Sequence, residues 1–328
     1  MNSDNPTRIG IIIPAFNVEK YILRAIEACK KQTYTNIEII IVDDGSTDKT
    51  FSIAKKASEL DNRIYIHHQK NSGVSVARNY ALDLCTSDYI IFLDSDDWIE
   101  PDTVEKMIEH LPKNKESCLV CADAYYAYFG ERGIWKEKAP YIADAIEMDS
   151  KDALLYISQQ QYKLRSACYK LFSMKIIKEN NLRFDENIKH GEDGLFVFEY
   201  LKCVSSFVYF PEPLWNILER PNSATQLPYS KSWLTAIDAV EKMLAYKNSQ
   251  ELDKELRNYK VRRMVSVLCH AIGNISLAEE DVKFLKKELR KECVGYLLKE
   301  DNLKNKLFYL FAVFSPVKIV SLYCRRRV

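Results

Sequence analysis

Residues 89–98 are Tyr89-Ile90-Ile91-Phe92-Leu93-Asp94-Ser95-Asp96-Asp97-Trp98. The first half has the continuous apolar pattern of a strand that is buried on both faces. The second half is an acidic loop at the carboxyl end of that strand, which is where open parallel sheets bind their ligands. This stretch predicts an α/β fold with a ligand site where the strand ends.

Similar strands precede this one, and a helical pattern follows each of them. The predicted strands are Ile9–Ile13, Ile37–Val42 and Ile64–His67, and the predicted helices are Val18–Lys31, Lys49–Leu60 and Val74–Cys85. Strands that alternate with helices are typical of βαβ units, whose strands lie parallel in one sheet. We therefore expect a Rossmann-like, mostly parallel central sheet flanked by helices.

The pattern changes after Pro101. An amphipathic helix to about Leu111 is followed by an aromatic-rich stretch and by further helices and strands to about Pro211. Residues 230–300 have an almost entirely helical period, with Gly273 as the expected break. We predict that the α/β domain carries a C-terminal helical appendage.

Composition excludes several classes of protein. Among 328 residues, 47% are hydrophobic and 28% are charged, as in soluble globular proteins, and the net charge is only +1. The sequence has no basic stripe with interleaved aromatic residues, so we expect no nucleic-acid partner. The polar segment Met1–Arg8 lacks the apolar core of a secretory signal, which favours a cytoplasmic protein.

The nine cysteines follow no disulfide pattern, which favours thiols in a reducing compartment. Cys118 and Cys121 form a CxxC pair, a spacing that also occurs in redox centres and zinc sites. Because the pair lies in an apolar run that is typical of a buried strand, we interpret both cysteines as core residues.

The acids that follow Leu93 have the chemistry of a cation site. Asp94 and Asp96 are a spaced pair of carboxylates, and Mg²⁺ and Mn²⁺ prefer such oxygen ligands. Two carboxylates leave open positions for diphosphate oxygens, so the ion can neutralise a leaving nucleoside diphosphate. The alternative interpretation is an acidic helix cap before Trp98.

Asp43 and Arg78 are candidates for contact with a nucleotide. Asp43 ends the second strand, where an acid can accept hydrogen bonds from a base or a ribose. Its neighbours Asp44 and Gly45 are explained equally well by turn chemistry. Arg78 follows the Gly73 loop, where a guanidinium can pair with phosphate, and the alternative is a solvated surface arginine.

Glu192 and Asp193 lie between Gly191 and Gly194, directly before an apolar helix. Transfer to a hydroxyl needs a base within hydrogen-bond reach of the attacking oxygen, and a carboxylate at this junction suits that role. Both acids are equally well explained as residues that the helix dipole favours at a helix start. The spacing leaves both interpretations open.

Four motifs in order resemble the inverting family 2 glycosyltransferases of GT-A fold, of the bacterial polysaccharide-biosynthesis type. They are Ile11-Ile12-Ile13-Pro14-Ala15-Phe16-Asn17, Val42-Asp43-Asp44-Gly45-Ser46-Thr47-Asp48, Asn71-Ser72-Gly73-Val74-Ser75-Val76-Ala77-Arg78-Asn79 and Phe92-Leu93-Asp94-Ser95-Asp96-Asp97-Trp98. The resemblance is dense over Ile9–Pro101, continues sparsely through residues 191–193 and 220–223, and fades after about Gln226. It implies an enzyme that moves a sugar from a nucleotide diphosphate, most often UDP, to an acceptor hydroxyl with inversion.

The resemblance also implies roles for individual residues. Those that it places at the nucleotide are Pro14, Ala15, Glu19, Asp43, Arg78, Asp94 and Ser95. It implies a divalent cation, Mn²⁺ or Mg²⁺, held by Asp96 and Asp94. It assigns the catalytic base to Asp193, with Glu192 as the second choice.

By this resemblance the chain has three parts. Residues 1–112 are the nucleotide-sugar-binding half, residues 113–228 the acceptor-binding half of the same GT-A domain, and residues 229–328 a helical region. The expected acceptor is a saccharide or lipid-linked saccharide in cell-surface polysaccharide or glycolipid synthesis. The segment 214–223 departs from the Tyr-rich pattern that family members often carry, so the resemblance does not assign the segment that closes over the diphosphate.

Two other classes of function fit parts of the pattern. A nucleotidyltransferase or an NAD-dependent dehydrogenase uses a similar sheet, but the loop Pro14-Ala15-Phe16-Asn17 is not the GxGxxG of dinucleotide-binding folds. A non-catalytic sugar- or nucleotide-binding module would keep the fold with a decayed site, whereas the acids described above are intact.

The C-terminal tail is apolar and basic. Residues 307–324 are interrupted by Ser315, Pro316 and Lys318 and are followed by three arginines at 325–327. A spanning helix needs about 20 apolar residues, so an interfacial helix fits better. The alternatives are packing against the protein's own domain or a partner, and a true span. We expect peripheral contact through residues 304–328 at the inner face of the cell membrane.

Overall fold

In the computed structural model, the predicted strands of the N-terminal half form the parallel part of one sheet. They are β1 (Ile9–Ala15), β2 (Ile37–Asp43), β3 (Ile64–His68) and β4 (Tyr89–Phe92), in the spatial order β3-β2-β1-β4. Every residue of β1 and β2 is buried, as expected where helices cover both faces of a sheet. The register pairs Asp43 with Ala15 and with His68, so these strand ends lie along one edge.

The rest of the sheet is mixed. It contains β5 (Trp98–Ile99), β6 (Cys118–Gly130), β7 (Gly133–Lys138), β8 (Ile146–Asp149), β9 (Lys170–Ser173) and β10 (Ser206–Glu219). β9 is antiparallel to both β4 and β6, while β6 and β10 run parallel. β10 continues beyond the predicted end at Pro211, and its pairing with β6 shifts register around Pro213, because proline has no N–H to donate to the ladder.

Helices fill the connections between the strands of the sheet. They are α1 (Ile22–Lys30), α2 (Thr50–Leu60), α3 (Val74–Leu84), α4 (Thr103–Glu109), α5 (Ser150–Gln159), α6 (Met174–Glu179) and α7 (Glu192–Leu201). α1 begins later than the predicted Val18, because the Val18 carbonyl accepts the amides of Tyr21 and Ile22 and closes a turn of its own. The predicted α/β fold with a central sheet flanked by helices is confirmed.

The chain divides into two compact units. The first, here called the sheet unit, comprises residues 1–154, 162–186 and 196–221, and the second, the helical unit, comprises residues 155–161, 187–195 and 222–328. The helical unit contains α8 (Thr235–Leu244), α9 (Gln250–Gly273) and α10 (Ile275–Leu297), packed around a core that includes Trp233, Leu268 and Leu285. α9 ends at Gly273, the predicted break.

The structure describes residues 7–112, 117–130, 133–138, 144–159, 162–220, 228–273 and 275–297. The predicted membrane-contacting tail, residues 304–328, lies outside them, as do Pro221–Ser223 of the sparse resemblance. Within these ranges, no helix combines the length and the apolar character needed to cross a bilayer.

The CxxC pair lies in the core of the sheet unit. Cys118 and Cys121 are both buried on β6, which confirms their interpretation as packing residues. Cys29, Cys85 and Cys168 are buried as well. Burial raises the pKa of Cys121, and it raises that of Cys85 to about 12.

Candidate active site

The loops after β1 and β2 are bonded to each other at the carboxyl edge of the sheet. Asn17 has a φ of 51°, a left-handed conformation that asparagine tolerates better than most residues. This conformation lets its amide donate to Ser46 Oγ and its Oδ1 accept from the Thr47 amide, both at 2.9 Å. Pro14 and Ala15, two predicted nucleotide contacts, are buried directly before this loop.

Asp43 is fully buried at the end of β2. Its Oδ2 lies 2.7 Å from His68 Nδ1 and accepts from the Ser46 amide at 3.3 Å. Its Oδ1 is also buried and has no hydrogen-bond partner among the described residues. Because a buried polar atom without a partner is costly, this oxygen is a candidate acceptor for a ligand.

Asp44 has a different role from its neighbour. Its two carboxylate oxygens accept the Gln69 side chain at 2.7 Å and the amides of Ser72 and Gly73, both at 2.8 Å. Gly45 follows at a φ of 75°, and a Cβ there would lie 2.6 Å from the Asn71 backbone nitrogen. Turn chemistry therefore explains Asp44 and Gly45, whereas Asp43 keeps an oxygen for another partner.

Arg78 is only 3% exposed, so the interpretation as a solvated surface arginine is wrong. Its Nη2 lies 3.1 Å from Asp94 Oδ1 at the end of β4. The guanidinium also lies over the Phe184 ring, 5.1 Å from the ring centre, and this contact fixes its direction. α3 thus presents a fixed cation beside the first acid of the Asp94–Asp97 loop.

Asp96 is held by two arginines that are far apart in sequence. Its Oδ2 accepts from Arg220 Nε at 2.7 Å, and its carbonyl accepts from Arg24 Nη2 at the same distance. The Arg220 guanidinium lies over the Tyr21 ring at 5.0 Å. Asp94, Asp96 and three arginines, Arg24, Arg78 and Arg220, therefore form one charged cluster at the end of β4.

Asp97 is buried beside this cluster. Its Oδ1 accepts the Leu218 amide at 2.8 Å and so joins the acidic loop to β10. Burial, together with the charges of Asp96 and Asp94, raises the pKa of Asp97 well above its usual value. The loop continues into β5 at Trp98, and α4 begins only at Thr103, so the interpretation of these acids as a helix cap is wrong.

The acidic loop fits a cation that a diphosphate helps to bind. Asp94 and Asp96 offer hard carboxylate oxygens, and Mg²⁺ is usually bound by one or two carboxylates plus substrate phosphates. In the described ranges, no group of three or more His, Cys, Asp or Glu side chains is arranged to hold a metal ion by itself. To bind a cation through Oδ2, Asp96 would have to release Arg220, since that oxygen is bonded to the arginine.

A cavity of about 450 Å³ has Glu100 in its wall, a residue that directly follows β5 and so lies three positions after the acidic loop. Trp98 links the charged cluster to this cavity. The centre of its ring is 4.0 Å from the Arg24 guanidinium and 5.8 Å from Nζ of Lys136, in the cavity wall. Lys136 Nζ also lies 5.4 Å from the Tyr125 ring and is paired with Glu100. The cavity is lined by Glu100, Asp102, Lys106, Tyr125, Lys136, Glu212, Pro213 and Leu214. Its volume lies within the roughly 300–1,000 Å³ of small-molecule sites.

The other predicted site residues lie in the acidic loop, in the loop after β1 and at the start of α7. Ser95 is buried within the acidic loop, and the Glu19 carboxylate accepts the Lys49 amide at 3.0 Å, just before α2. Glu192 and Asp193 are partly exposed on the first turn of α7 and belong to the helical unit.

His68 and Arg24 were missed in the sequence. His68 lies one residue beyond the predicted end of its strand, and only the register of β3 on β2 places it opposite Asp43. Arg24 shares its amphipathic helix with Lys30, and no spacing distinguishes it from a solvated residue. A predicted strand that extended one residue further would have placed His68 beside Asp43. No local sequence pattern indicates a site role for Arg24.

A family model described as "Glycosyl transferase family 2" matches residues 10–180, which include Asp43, Arg78 and the acidic loop. The chain belongs to this family. Glycosyltransferase GlyA of Streptococcus pneumoniae serotype 4 is 29% identical over 94% of this chain, and the chain spans 44% of the length of GlyA. The uncharacterized glycosyltransferase EpsJ of Bacillus subtilis is 25% identical, with 98% of this chain and 93% of EpsJ covered.

Solved structures of TarS from S. aureus have the same fold. TarS 1–349 superposes with a TM-score of 0.64 at 18% identity, over 98% of this chain and 87% of that one. A second TarS structure, in complex with UDP-GlcNAc, gives a TM-score of 0.61 at 19% identity, over 98% and 88% of the two chains. The chain therefore shares the fold of TarS over nearly its whole length.

Proposed function

We propose that the chain transfers a sugar from a UDP-sugar to a hydroxyl of a saccharide acceptor, with inversion at the anomeric carbon. The observation that carries this proposal is the line of charged groups along one edge of the sheet. Asp43 ends β2, and Asp94 and Asp96 follow β4 with Arg78 beside them. β2 and β4 flank β1, so the two acidic positions are roughly 10 Å apart by the spacing of paired strands.

The nucleoside lies at the end of β2 in this proposal. The unpartnered Oδ1 of Asp43 accepts a hydrogen bond from the base or the ribose, while His68 and Ser46 hold the other oxygen. Pro14 and Ala15 end the neighbouring strand β1, and Glu19 lies in the loop that follows it. The binding of UDP and UDP-GlcNAc by TarS supports a uridine nucleotide as the ligand.

The diphosphate lies over the acidic loop. Asp94 and Asp96 would hold a Mn²⁺ or Mg²⁺ ion, with Ser95 between them, and the bound ion would supply positive charge for the leaving diphosphate. Arg78 is fixed by its ring contact and its pairing with Asp94, so it adds a directed cation to the same place. A cation on Oδ2 of Asp96 would take the place of Arg220, which pairs with that oxygen in the structure.

The reaction is a single displacement. The Asp193 carboxylate removes the proton of the acceptor hydroxyl, the oxygen attacks the anomeric carbon, and the bond from that carbon to the diphosphate breaks. The electron pair of that bond leaves with the UDP. Because the acceptor oxygen attacks the anomeric carbon directly, no sugar becomes attached to the enzyme. Glu192 is the second choice for the base.

The acceptor side of this proposal is the cavity beside Trp98. The Tyr125 ring offers a flat apolar face to a sugar, and the flanking carboxylates and ammonium groups are acceptors and donors for its hydroxyls. We propose a saccharide or lipid-linked saccharide of a cell-surface polymer as the natural acceptor. The tail at residues 304–328 would then keep the protein at the inner face of the membrane.

A panel of UDP-sugars tests the function. UDP-glucose, UDP-galactose, UDP-GlcNAc and UDP-GalNAc are each added with Mn²⁺ and a mixture of mono- and disaccharide acceptors, and the melting temperature and the release of UDP are measured. We expect at least one to raise the melting temperature by mass action and to release UDP. Binding without release points to a non-catalytic module, and neither effect with any donor contradicts the proposal.

A further inference from the structure

The loop before the candidate base is held by the start of α8. The backbone amides of Lys189 and His190 both donate to Thr235 Oγ1, at 3.0 and 3.1 Å. The Thr235 hydroxyl donates in turn to the Ser232 carbonyl at 2.7 Å. One hydroxyl therefore fixes two consecutive amides of the loop.

Aromatic stacking holds the same loop from a second direction. The His190 ring stacks on the indole of Trp233, with centroids 4.1 Å apart and planes at 12°. Trp233 also stacks on His270 of α9 at 4.2 Å and is only 5% exposed. The loop is thus attached through His190 to the core of the helical unit, in addition to the bond that His190 Nε2 makes with Ser232 Oγ at 3.2 Å.

Gly191 completes the attachment. It has a φ of 88°, which favours glycine, and a Cβ at this position would touch Ala239 at 3.4 Å and Ala236 at 3.7 Å, both on α8. Its carbonyl accepts the Leu195 amide at 3.1 Å and so begins α7. Lys189 and His190 are bonded to α8 or to the segment before it, and Gly191 lies close against α8, directly ahead of the turn that carries Glu192 and Asp193.

We propose that Thr235 and Trp233 are positioning residues for sugar transfer, which act by fixing the turn that carries the base. This inference rests on the proposed function and on Asp193 as the base. A purely structural role predicts lower stability and nothing more. A positioning role predicts slower chemistry with unchanged donor binding, because a displacement of about 1 Å can cost a catalytic group roughly a hundredfold in rate.

The test compares Thr235→Val, which keeps the shape and removes the hydroxyl, with Thr235→Ser, which keeps the hydroxyl. The probe is the release of UDP by water from the UDP-sugar of the panel that turns over fastest. We expect Thr235→Val to lower kcat roughly ten- to a hundredfold and to leave the KM for the donor within about twofold. Amide exchange at Lys189 and His190 should become faster, whereas Thr235→Ser should keep kcat and both exchange rates at the values of the unaltered protein.

Val282→Ala controls for stability alone, since Val282 is buried in the core of the helical unit. It should lower the melting temperature and keep kcat. If Thr235→Val retains kcat, or loses no more of it than Val282→Ala does at equal melting temperature, the inference is wrong. Trp233→Phe keeps an apolar ring and gives a second arm should Thr235→Val not fold, and unchanged kcat in that variant also overturns the inference.

Asp193→Asn separates the two possible failures. If it loses turnover while Thr235→Val and Trp233→Phe do not, only the positioning role fails. If Asp193→Asn itself turns over at the full rate, the base assignment in the proposed function is what fails.

Discussion

His68 Nδ1 lies 2.7 Å from Asp43 Oδ2, across two adjacent strands that end at the same level. The Ser46 amide donates to that oxygen as well, so Oδ2 must stay an acceptor. The geometry leaves Oδ1 as the atom of Asp43 that faces a ligand, and this difference between the two oxygens makes the nucleoside site testable.

We expect Asp43→Asn to weaken UDP binding roughly ten- to a hundredfold. The Ser46 amide is a donor, so the oxygen of the new side-chain amide takes the place of Oδ2. The NH₂ group then takes the place of Oδ1, and it cannot accept a hydrogen bond from the nucleotide. A lost hydrogen bond to a charged group costs about 1.5–3 kcal/mol. Calorimetric titration with UDP measures the change.

Asp88→Asn is the matched control for that experiment. Asp88 accepts the Arg8 amide at the opposite, amino-terminal edge of the sheet, so its neutralisation changes the net charge equally and leaves the site alone. Equal affinity for UDP in Asp43→Asn and in the unaltered protein would refute the nucleoside assignment.

Asp96→Ala should abolish the Mn²⁺-dependent part of nucleotide binding while the fold survives. Asp96 is partly exposed, and its removal leaves Arg220 able to reach solvent, so we expect a loss of only a few degrees in melting temperature. UDP titrations with and without Mn²⁺ measure the effect. Asp83→Ala, at the exposed end of α3, should behave like the unaltered protein. Persistent Mn²⁺ dependence in Asp96→Ala would move the metal site elsewhere.

Asp193→Asn should bind the donor with a Kd within about twofold and lose transfer by roughly 10²–10⁴-fold, the usual contribution of a general base. The amide keeps the volume of the side chain and cannot take a proton. Single-turnover release of UDP separates the chemical step from binding. Glu192→Gln is the comparison, and a larger loss in that variant than in Asp193→Asn would make Glu192 the base.

Tyr125→Ala should raise the KM for a saccharide acceptor about two- to tenfold, because a stacked ring contributes about 0.5–1.5 kcal/mol. The readout is the extra UDP release that mono- and disaccharides produce above the rate with water, which should itself be unchanged. Tyr126→Ala is the control, since successive residues of β6 point to opposite faces of the sheet. Equal acceptor KM in both variants would exclude the cavity beside Trp98.

The parallel half of the fold was predictable because its signals are local. A strand covered on both faces reads as an unbroken apolar run, and β1 and β2 are such runs. Even there, Glu38 interrupts the pattern of β2, and only the folded chain shows that its carboxylate accepts the Thr86 amide and the Ser87 hydroxyl. The acids at the strand ends were predictable for the same local reason.

The partners of those acids were not predictable from the sequence. Arg220 reaches Asp96 across 124 residues, and Leu218 reaches Asp97 across 121, because β10 pairs with β5. Pairings at this separation leave no periodicity in the sequence. The attachment of residues 189–191 to α8 depends likewise on an irregular loop, which no pattern of hydrophobic residues specifies.

The buried thiols of the sheet unit can report the rate at which that unit opens to solvent. Thiolates react with maleimides and thiols do not, and burial raises the pKa of Cys29, Cys85 and Cys121. Alkylation of these side chains must therefore wait until the sheet opens to solvent. Mass spectrometry of protein that is pulse-labelled with a maleimide would then measure the opening rate at each cysteine. A bound nucleotide sugar should lower that rate.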